Sequence, residues 1–151
     1  MRNGKLLAGL LAFATLGLAA DPFVGTWKLD TAKTKYTTGT PPKSQTVTIK
    51  EAGADLDVNV TGTAGDGSPI TSHYTVPAGG GAGKIISSPY DGVNSKRTSP
   101  TERSVDYSKG GKVVYKTASK LSADGKTLTV KAKGTNAMGQ SVEGTNIYTK
   151  Q

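Results

Sequence analysis

The sequence predicts an all-β protein: an up-and-down antiparallel β-barrel of about eight to ten strands without a helical lid, with a β-sandwich as the alternative. Short runs of alternating apolar and polar residues are separated by clusters of Gly, Pro, Asn and Asp, which is typical of strands and turns. Apolar residues at helical spacing do not occur after Ala20. Glycine contributes 20 of the 151 residues, about twice its usual share of ~7%.

The first 20 residues are predicted to be a secretory signal peptide, which leaves residues 21–151 as one barrel domain. Arg2 and Lys5 give a positive start, and an apolar run over 6–19 follows. A retained membrane anchor is less favoured, because the run is shorter than the ~20 apolar residues of a span. Two pairs of residues fit the positions that a signal peptidase reads: Gly17 with Ala19, or Leu18 with Ala20. The protein is therefore expected to be exported, either to a periplasm or out of the cell.

The composition limits the chemistry that the chain can support. It has no cysteine and one histidine, His73, so the usual zinc and thiolate sites are excluded and no metal or cofactor is expected. The net charge is +8, or +6 once Arg2 and Lys5 leave with the signal peptide. Such a charge favours at most weak electrostatic contact with anionic surfaces. Nucleic acid is not expected as a partner of an exported chain that lacks an RNA-binding signature.

Ten strands are predicted after the signal peptide, at the short and regular spacing of a barrel or sandwich. Because side chains alternate along a strand, Val47 and Ile49 share one face, and so do Tyr74 and Val76. Residues 77–83, with four glycines, are predicted to be the most mobile loop. The predicted strands are 24–29, 45–50, 56–61, 70–76, 84–88, 93–98, 102–108, 112–121, 126–135 and 142–149.

The hairpin over residues 112–134 has the strongest signal. Asp124 and Gly125 form a type I′ turn sequence, and with this turn the numbers of paired residues sum to 249. Leu121 then faces Leu128 on the inner side, and Lys116 faces Lys133 on the outer side. The register that the turn sets therefore agrees with the hydrophobic pattern.

The connection before this hairpin, residues 109–111, is predicted to be a three-residue loop with glycine at the left-handed position. An odd number of loop residues keeps Val105 and Tyr107 on the same face as Val113 and Tyr115. Three consecutive strands would then form a meander, which favours a barrel over a sandwich.

Three segments, in the correct order along the chain, resemble the lipocalins and fatty-acid-binding proteins of the calycin superfamily. The first strand carries their Gly-x-Trp at Gly25 and Trp27. Residues 145–150 resemble the last strand, with Tyr148 at the ligand-facing tyrosine of the fatty-acid-binding proteins, and residues 124–128 resemble their late hairpins. The overall likeness is to small exported bacterial lipocalin-like proteins. It implies a barrel that Trp27 closes at one end, with a small apolar or amphipathic ligand inside.

Two features differ from the fatty-acid-binding proteins. Residues 30–43 are too short, and too rich in Thr, Gly and Pro, for the helical lid of that family. The arginine that grips the ligand's carboxylate, two residues before the tyrosine, is replaced by Asn146. An amide cannot form the charged bidentate clamp. Binding of a fatty acid by the usual mechanism is therefore not expected.

Tyrosines and small polar residues at inward positions are the candidate ligand-binding residues. Aromatic rings with a few polar groups are the usual composition of a small-molecule pocket. The other interpretation is a filled core in which these tyrosines bond to Asn146 or Ser72. The candidate ligand-binding residues are Tyr148, Asn146, Tyr115, Tyr107, Tyr74 and Ser119, with Gly25 and Trp27 as the structural signature.

No catalytic residues are predicted, and the chain is expected not to be an enzyme. His73 alternates with Tyr74 and so points outward, with no nucleophile or carboxylate at a suggestive spacing. A basic outer face over two neighbouring strands is interpreted as a solvated surface that also discourages edge-to-edge aggregation. The alternative is weak attraction to anionic lipid or polysaccharide, as in a structural or envelope-interaction protein that acts through its surface. The lysines of this face are Lys112, Lys116, Lys120, Lys131 and Lys133.

Overall fold

The computed structural model describes residues 19–151, which form twelve β-strands and no helix, so the predicted all-β fold is confirmed. Of the predicted signal peptide, residues 1–20, all but Ala19 and Ala20 lie outside the described residues. No helix long and apolar enough to cross a membrane occurs in the described part. The strands are β1 (Gly25–Leu29), β2 (Lys35–Thr38), β3 (Ser44–Ala52), β4 (Asp55–Thr63), β5 (Pro69–Pro77), β6 (Gly80–Ala82), β7 (Lys84–Ser87), β8 (Gly92–Ser99), β9 (Glu102–Lys109), β10 (Lys112–Leu121), β11 (Thr127–Thr135) and β12 (Ser141–Lys150).

The strands form one antiparallel sheet in which most neighbours in space are also neighbours along the chain. Its order is β6-β8-β9-β10-β11-β12-β1-β3-β4-β5-β7, with β2 also paired to β12. In β1, Trp27 lies opposite Val47 of β3 on one side and Lys150 of β12 on the other. The first strand, β1, and the last strand, β12, are thus hydrogen-bonded to each other, as the barrel prediction requires.

One short segment, which pairs with both edges of the sheet, nearly closes the barrel. β6 pairs with β8, and one residue later β7 pairs with β5 on the other side. Gly83 lies at the change, where its N–H donates a hydrogen bond to the backbone oxygen of Val93 at 2.9 Å. This closure excludes the sandwich alternative. The prediction that residues 77–83 form a loop is wrong for Gly80–Ala82, which pair with β8 through their backbone.

Gly83→Ala is expected to destabilise the barrel at its closure. A Cβ at this position would lie 2.1 Å from the carbonyl oxygen of Thr75 and 2.8 Å from Cγ1 of Val76, so the strands would have to separate. Overpacking of this kind costs about 2–3 kcal/mol of unfolding free energy, which urea unfolding measures. Gly79→Ala is the matched control, because a Cβ there meets nothing within 4 Å. Equal unfolding midpoints for the two variants would show that the closure is not tight at Gly83.

Residues 30–43 form no helical lid, as predicted, but they contain a strand that the sequence reading missed. β2 pairs with β12, where Tyr36 lies opposite Gly144, and it continues the course of β1 along the same neighbour. A turn joins the two strands: Asp30 Oδ1 accepts a hydrogen bond from the Ala32 N–H at 3.1 Å, and Thr34 Oγ1 accepts one from the Ile147 N–H at 3.2 Å. The alternation of only four mostly polar residues is too weak a signal to predict this strand.

The predicted three-residue loop between β9 and β10 is wrong in its length. The turn has two residues, Gly110 and Gly111, with φ values of +60° and +78°, which suit the mirror-image hairpin turns that favour glycine. A β-bulge between Val113 and Tyr115 adds the odd residue instead, so Tyr115 still pairs with Tyr107. Because the bulge comes after it, Val113 faces outward with 48% of its surface exposed, contrary to its predicted inner position.

The predicted register of the β10–β11 hairpin is confirmed over its whole length. Leu121 pairs with Leu128, Ser119 with Val130, and Lys116 with Lys133. Leu121 and Leu128 are buried, whereas the two lysines are exposed. The predicted type I′ turn is wrong, because Asp124 has no positive φ and the Gly125 N–H donates to the Ser122 oxygen at 2.9 Å, so the turn spans residues 122–125. The longer connection keeps the predicted pairing, which the alternation of side chains also requires.

One end of the barrel is filled by Trp27, which is completely buried (0% exposed). Its indole N–H donates a hydrogen bond to the backbone oxygen of Phe23 at 2.9 Å. The ammonium nitrogen of Lys150 lies 5.6 Å from the centroid of the Trp27 ring, within the range of a cation–π contact. Trp27 therefore closes this end of the barrel, as predicted.

Phe23 completes the closed end together with three charged residues. The guanidinium carbons of Arg97 and Arg103 lie 5.5 Å and 5.4 Å from the centroid of the Phe23 ring. The Arg97 guanidinium is ion-paired with the carboxylate of Asp21. Burial alone would raise the pKa of Asp21, but its hydrogen bonds from Arg97 and from the Phe23 N–H, with the charge of Arg97, hold it below the usual value. The chain is thus anchored from Asp21 onward.

Candidate functional site

A cavity of about 180 Å³ lies inside the barrel. Most of its wall is apolar, and valines of three strands, Val47, Val60 and Val130, contribute to it. Loops at the end opposite Trp27 line the mouth, among them those that carry Pro42 and Met138. The cavity is therefore closed at one end by the Trp27 and Phe23 plug and bordered by loops at the other.

All six tyrosines of the chain line this cavity. Tyr107 lies at the centre of the cluster: its hydroxyl is 2.7 Å from that of Tyr74, and the two rings meet edge to face at a centroid distance of 5.7 Å. Tyr90 and Tyr115 pack against Tyr107 at centroid distances of 5.0 Å and 5.5 Å. The rings form a continuous aromatic wall that offers stacking contacts to a small planar molecule.

Burial raises the pKa of every tyrosine in the cavity, because the neutral phenol is preferred away from water. It raises the pKa of Tyr74 to about 12, and the pKa values of Tyr107, Tyr115 and Tyr148 also lie well above the usual value. The pKa of Tyr90 is raised for the same reason. At neutral pH the wall is therefore uncharged, with hydroxyl groups that can donate hydrogen bonds.

Asn146 places an unused hydrogen-bond acceptor in the cavity wall. Its side chain is 4% exposed, and its Oδ1 has no partner among the described residues. Burial raises the pKa of Tyr36, and the nearby Asn146 side chain partly opposes this rise. Tyr36 lies against Gly144, where a Cβ would come within 2.2 Å of its ring. Glycine at this position therefore allows Tyr36 to lie over the cavity next to Asn146.

Arg103 brings an unused donor and a positive charge to the closed end of the cavity. It is 7% exposed, and its Nη2 donates to the backbone oxygen of Ala78 at 2.8 Å, but its Nε has no partner among the described residues. Burial lowers the pKa of Arg103, as does the charge of Arg97, while Asp21 opposes both effects. A buried cation of this kind favours a ligand that supplies an acceptor.

The structure brings all six candidate ligand-binding residues to one cavity. Tyr148, Asn146, Tyr115, Tyr107, Tyr74 and Ser119 all belong to its lining, whereas Trp27 and Gly25 lie at the closed end. Their role in binding stays a prediction. The sequence reading missed Arg103, Tyr90 and Tyr36. Arg103 carried a usable signal, because it shares strand parity with the inward Val105 and Tyr107.

The expected hydrogen-bond partners of the candidate tyrosines were wrong. Tyr74 and Tyr107 bond to each other, and the Tyr148 hydroxyl donates to Oε1 of Gln45. Ser72 instead donates to Ser88, at 2.9 Å. Asn146 consequently keeps its free acceptor, since no candidate tyrosine uses it.

On the outer surface, His73 lies as predicted, but it has a carboxylate partner that its spacing did not suggest. Both oxygens of Asp57, on the neighbouring strand β4, lie 3.0 Å from His73 Nε2. The five lysines of the predicted basic face are exposed, and Lys133 is ion-paired with Glu143 at 3.5 Å. No group of three or more His, Cys, Asp or Glu residues that could hold a metal ion occurs within residues 19–151.

No protein-family model and no curated protein sequence matches the chain. Solved structures with a similar arrangement include a de novo designed fluorescence-activating β-barrel, at 14% identity and a TM-score of 0.47, over 87% of this chain and 96% of that one. A redesigned β-barrel bound to the small molecule DFHBI shares 14% identity at a TM-score of 0.45, over 85% and 95%. Lobster apocrustacyanin A1 shares 13% identity at a TM-score of 0.44, over 87% of this chain and 62% of that chain.

Proposed function

We propose that this protein is an exported, non-enzymatic, lipocalin-like barrel that binds one small amphipathic molecule in its interior. The observation that carries the proposal is an apolar, tyrosine-walled cavity whose lining residues include Arg103 and Asn146, each with a buried polar atom that has no partner among the described residues. An unpaired buried donor or acceptor costs free energy, so a ligand that pairs with it gains affinity. Arg103 Nε calls for an acceptor on the ligand, and Asn146 Oδ1 calls for a donor.

The size of the cavity supports a ligand of about one aromatic ring. Its volume is about 180 Å³, whereas pockets for drug-sized ligands measure roughly 300–1,000 Å³. An apolar cavity of about 150 Å³ in another protein accepts benzene. A long-chain fatty acid would need far more room, in agreement with the absence of the arginine two residues before Tyr148. The ligand class that fits best is a substituted benzene with a small polar group, such as a phenol.

Titration with p-cresol and with toluene tests this proposal, with the methyl signals of Val47, Val60 and Val130 followed by NMR. Both probes are expected to shift these inward methyls, and palmitate is not. Val130→Phe fills the cavity and is expected to weaken binding of both probes at least ~10-fold, since a probe ring no longer fits. Val113→Phe is the matched control, because Val113 is exposed on the outside of the same barrel.

Asn146→Leu distinguishes the hydrogen bond to the ligand from the packing of the ligand's ring in the cavity. It is expected to weaken p-cresol about 5-fold, the value of one hydrogen bond of about 1 kcal/mol, and to leave toluene binding unchanged. The proposal fails if neither probe moves the inward methyls, or if Val113→Phe weakens binding as much as Val130→Phe does.

The alternative function, a structural or envelope-interaction protein, is favoured by the exposed lysines of β10 and β11. These include Lys116 and Lys131, which lie on the outer face of neighbouring strands. A protein of this kind would bind anionic vesicles in a manner that added salt weakens. It would also be indifferent to p-cresol. The titration above therefore distinguishes the two functions.

A further inference from the structure

We propose that a signal peptidase cuts the chain between Ala20 and Asp21, and that the amino group released on Asp21 pairs with the carboxylate of Glu51. In this step water hydrolyses the Ala20–Asp21 amide and the C–N bond breaks. Ala20 receives the hydroxyl and ends as a carboxylate. The Asp21 nitrogen receives the two released protons and becomes an ammonium. The proposal rests on the export proposed above, concerns the barrel's closed end and is independent of the ligand.

Among the described residues, the contacts that hold the chain at the closed end begin at Asp21. Ala19 and Ala20 are exposed and belong to no strand. From Asp21 onward the chain is held: the Asp21 carboxylate pairs with Arg97 and accepts a hydrogen bond from the Phe23 N–H at 3.0 Å, and Phe23 is buried in the closed end. A cut before Asp21 therefore leaves all of these contacts in place.

The Asp21 nitrogen already has the partner that an ammonium would need. It donates a hydrogen bond to Oε1 of Glu51, at the end of β3, at 2.9 Å. Cutting before Asp21 turns this amide into an ammonium and the hydrogen bond into an ion pair, which is the stronger interaction. A second carboxylate, that of Asp21 itself, lies within the same residue and is occupied by Arg97.

The two cleavage positions that the sequence leaves open would place the new amino group at different points of this geometry. Recognition of Leu18 and Ala20 leads to a cut before Asp21, whereas recognition of Gly17 and Ala19 leads to a cut before Ala20. In the second case the Asp21 nitrogen stays an amide, and the ammonium moves one residue away, about 3.8 Å along the chain. Only the first cut creates the charge next to Glu51.

The cleavage position is tested by intact mass measurement of the protein after export of the full-length chain from a bacterial host. The expected mass is that of residues 21–151. A chain that begins at Ala20 or at any other residue, or one that keeps residues 1–20, would overturn the assignment.

The ion pair is tested by urea unfolding of four mature proteins: with a free or an enzymatically acetylated N-terminus, each with Glu51 or with Glu51→Gln. Acetylation is expected to lower the equilibrium constant for folding about 2- to 5-fold with Glu51, the range of an exposed ion pair, and to have no effect with Glu51→Gln. Asp55→Asn, which removes a carboxylate from the same hairpin, should leave the effect of acetylation intact. An equal effect with and without Glu51, or no effect in either protein, would contradict the pair.

Discussion

The barrel is expected to unfold cooperatively when the pH is raised from about 9 to about 11.5, and its tyrosines are expected to ionise together in the same step. The physical reason is that burial raises the pKa values of Tyr74, Tyr107, Tyr115 and Tyr148 in the folded protein. In the unfolded chain these phenols return to a pKa near 10. Above that pH the unfolded state loses protons that the folded state keeps.

The sign of the effect follows from proton linkage. Because the folded state binds more protons than the unfolded state above about pH 10, the free energy of unfolding falls as pH rises. The full stability is present below the unfolded pKa and is lost as pH climbs towards the raised folded values. At about pH 11 Tyr74, with a folded pKa of about 12, contributes a loss of about 1.4 kcal/mol, and Tyr107, Tyr115 and Tyr148 add losses of the same sign. Together these losses are a sizeable part of the stability of a small domain, about 5–15 kcal/mol.

Phenolate absorbance and circular dichroism, recorded on the same samples, provide the measurement. Tyr115→Phe keeps the ring but removes one ionisable group, so its unfolding midpoint should move to higher pH while its stability at pH 7 stays close to that of the parent protein. Gradual phenolate formation centred near pH 10, with an unchanged β-sheet signal, would show instead that the tyrosines are open to solvent.

Trp27→Ala is expected to lower the free energy of unfolding by about 3–5 kcal/mol. Trp27 is completely buried, and its removal would leave a void at the closed end and deprive the Phe23 carbonyl of its hydrogen bond. The neighbouring Lys150 would also lose the ring that its ammonium group contacts. Urea unfolding followed by circular dichroism measures the change.

Trp27→Phe is the matched control for this substitution. It keeps much of the buried ring but loses the indole N–H, so a smaller loss of stability is expected than for Trp27→Ala. If Trp27→Ala unfolds at the same urea concentration as the parent protein, Trp27 is not the plug of the barrel.

The sequence predicted the fold best where a turn signal and side-chain alternation coincide. Every predicted pair of the β10–β11 hairpin appears in the structure, with Leu121 and Leu128 on its inner face, although the turn is not the predicted type I′ turn. The same alternation placed Tyr74, Tyr107 and Tyr148 on the inside of the barrel. Both signals are local, and local signals can be read from one chain.

Elements that depend on the backbone alone were missed. β6 consists of two glycines and an alanine, which show no alternation, yet its peptide groups pair with β8. At the β9–β10 connection, the alternation of side chains required one additional residue to keep Tyr115 on the same face as Tyr107. The alternation does not determine whether this residue lies in the loop or in the strand. The structure places it in a bulge before Tyr115.

The polar part of the site was harder to predict than its aromatic part. Arg103 has the parity of an inward residue, but arginine is seldom buried, and its tolerance here depends on Ala78, Phe23 and Asp21, which come from distant parts of the chain. The free acceptor of Asn146 could not be predicted either. It is free because Tyr148, the expected partner, donates its hydrogen bond to Gln45 instead. Such partners become known only when the strands are assembled.

Native mass spectrometry of the protein purified from the organism that encodes it is the most direct test of an interior binding site. The parent protein is expected to carry one small molecule per chain that is released on unfolding, and the cavity-filled Val130→Phe protein, purified in the same way, is expected to be bare. If both proteins carry no small molecule, the result would contradict a ligand-binding barrel.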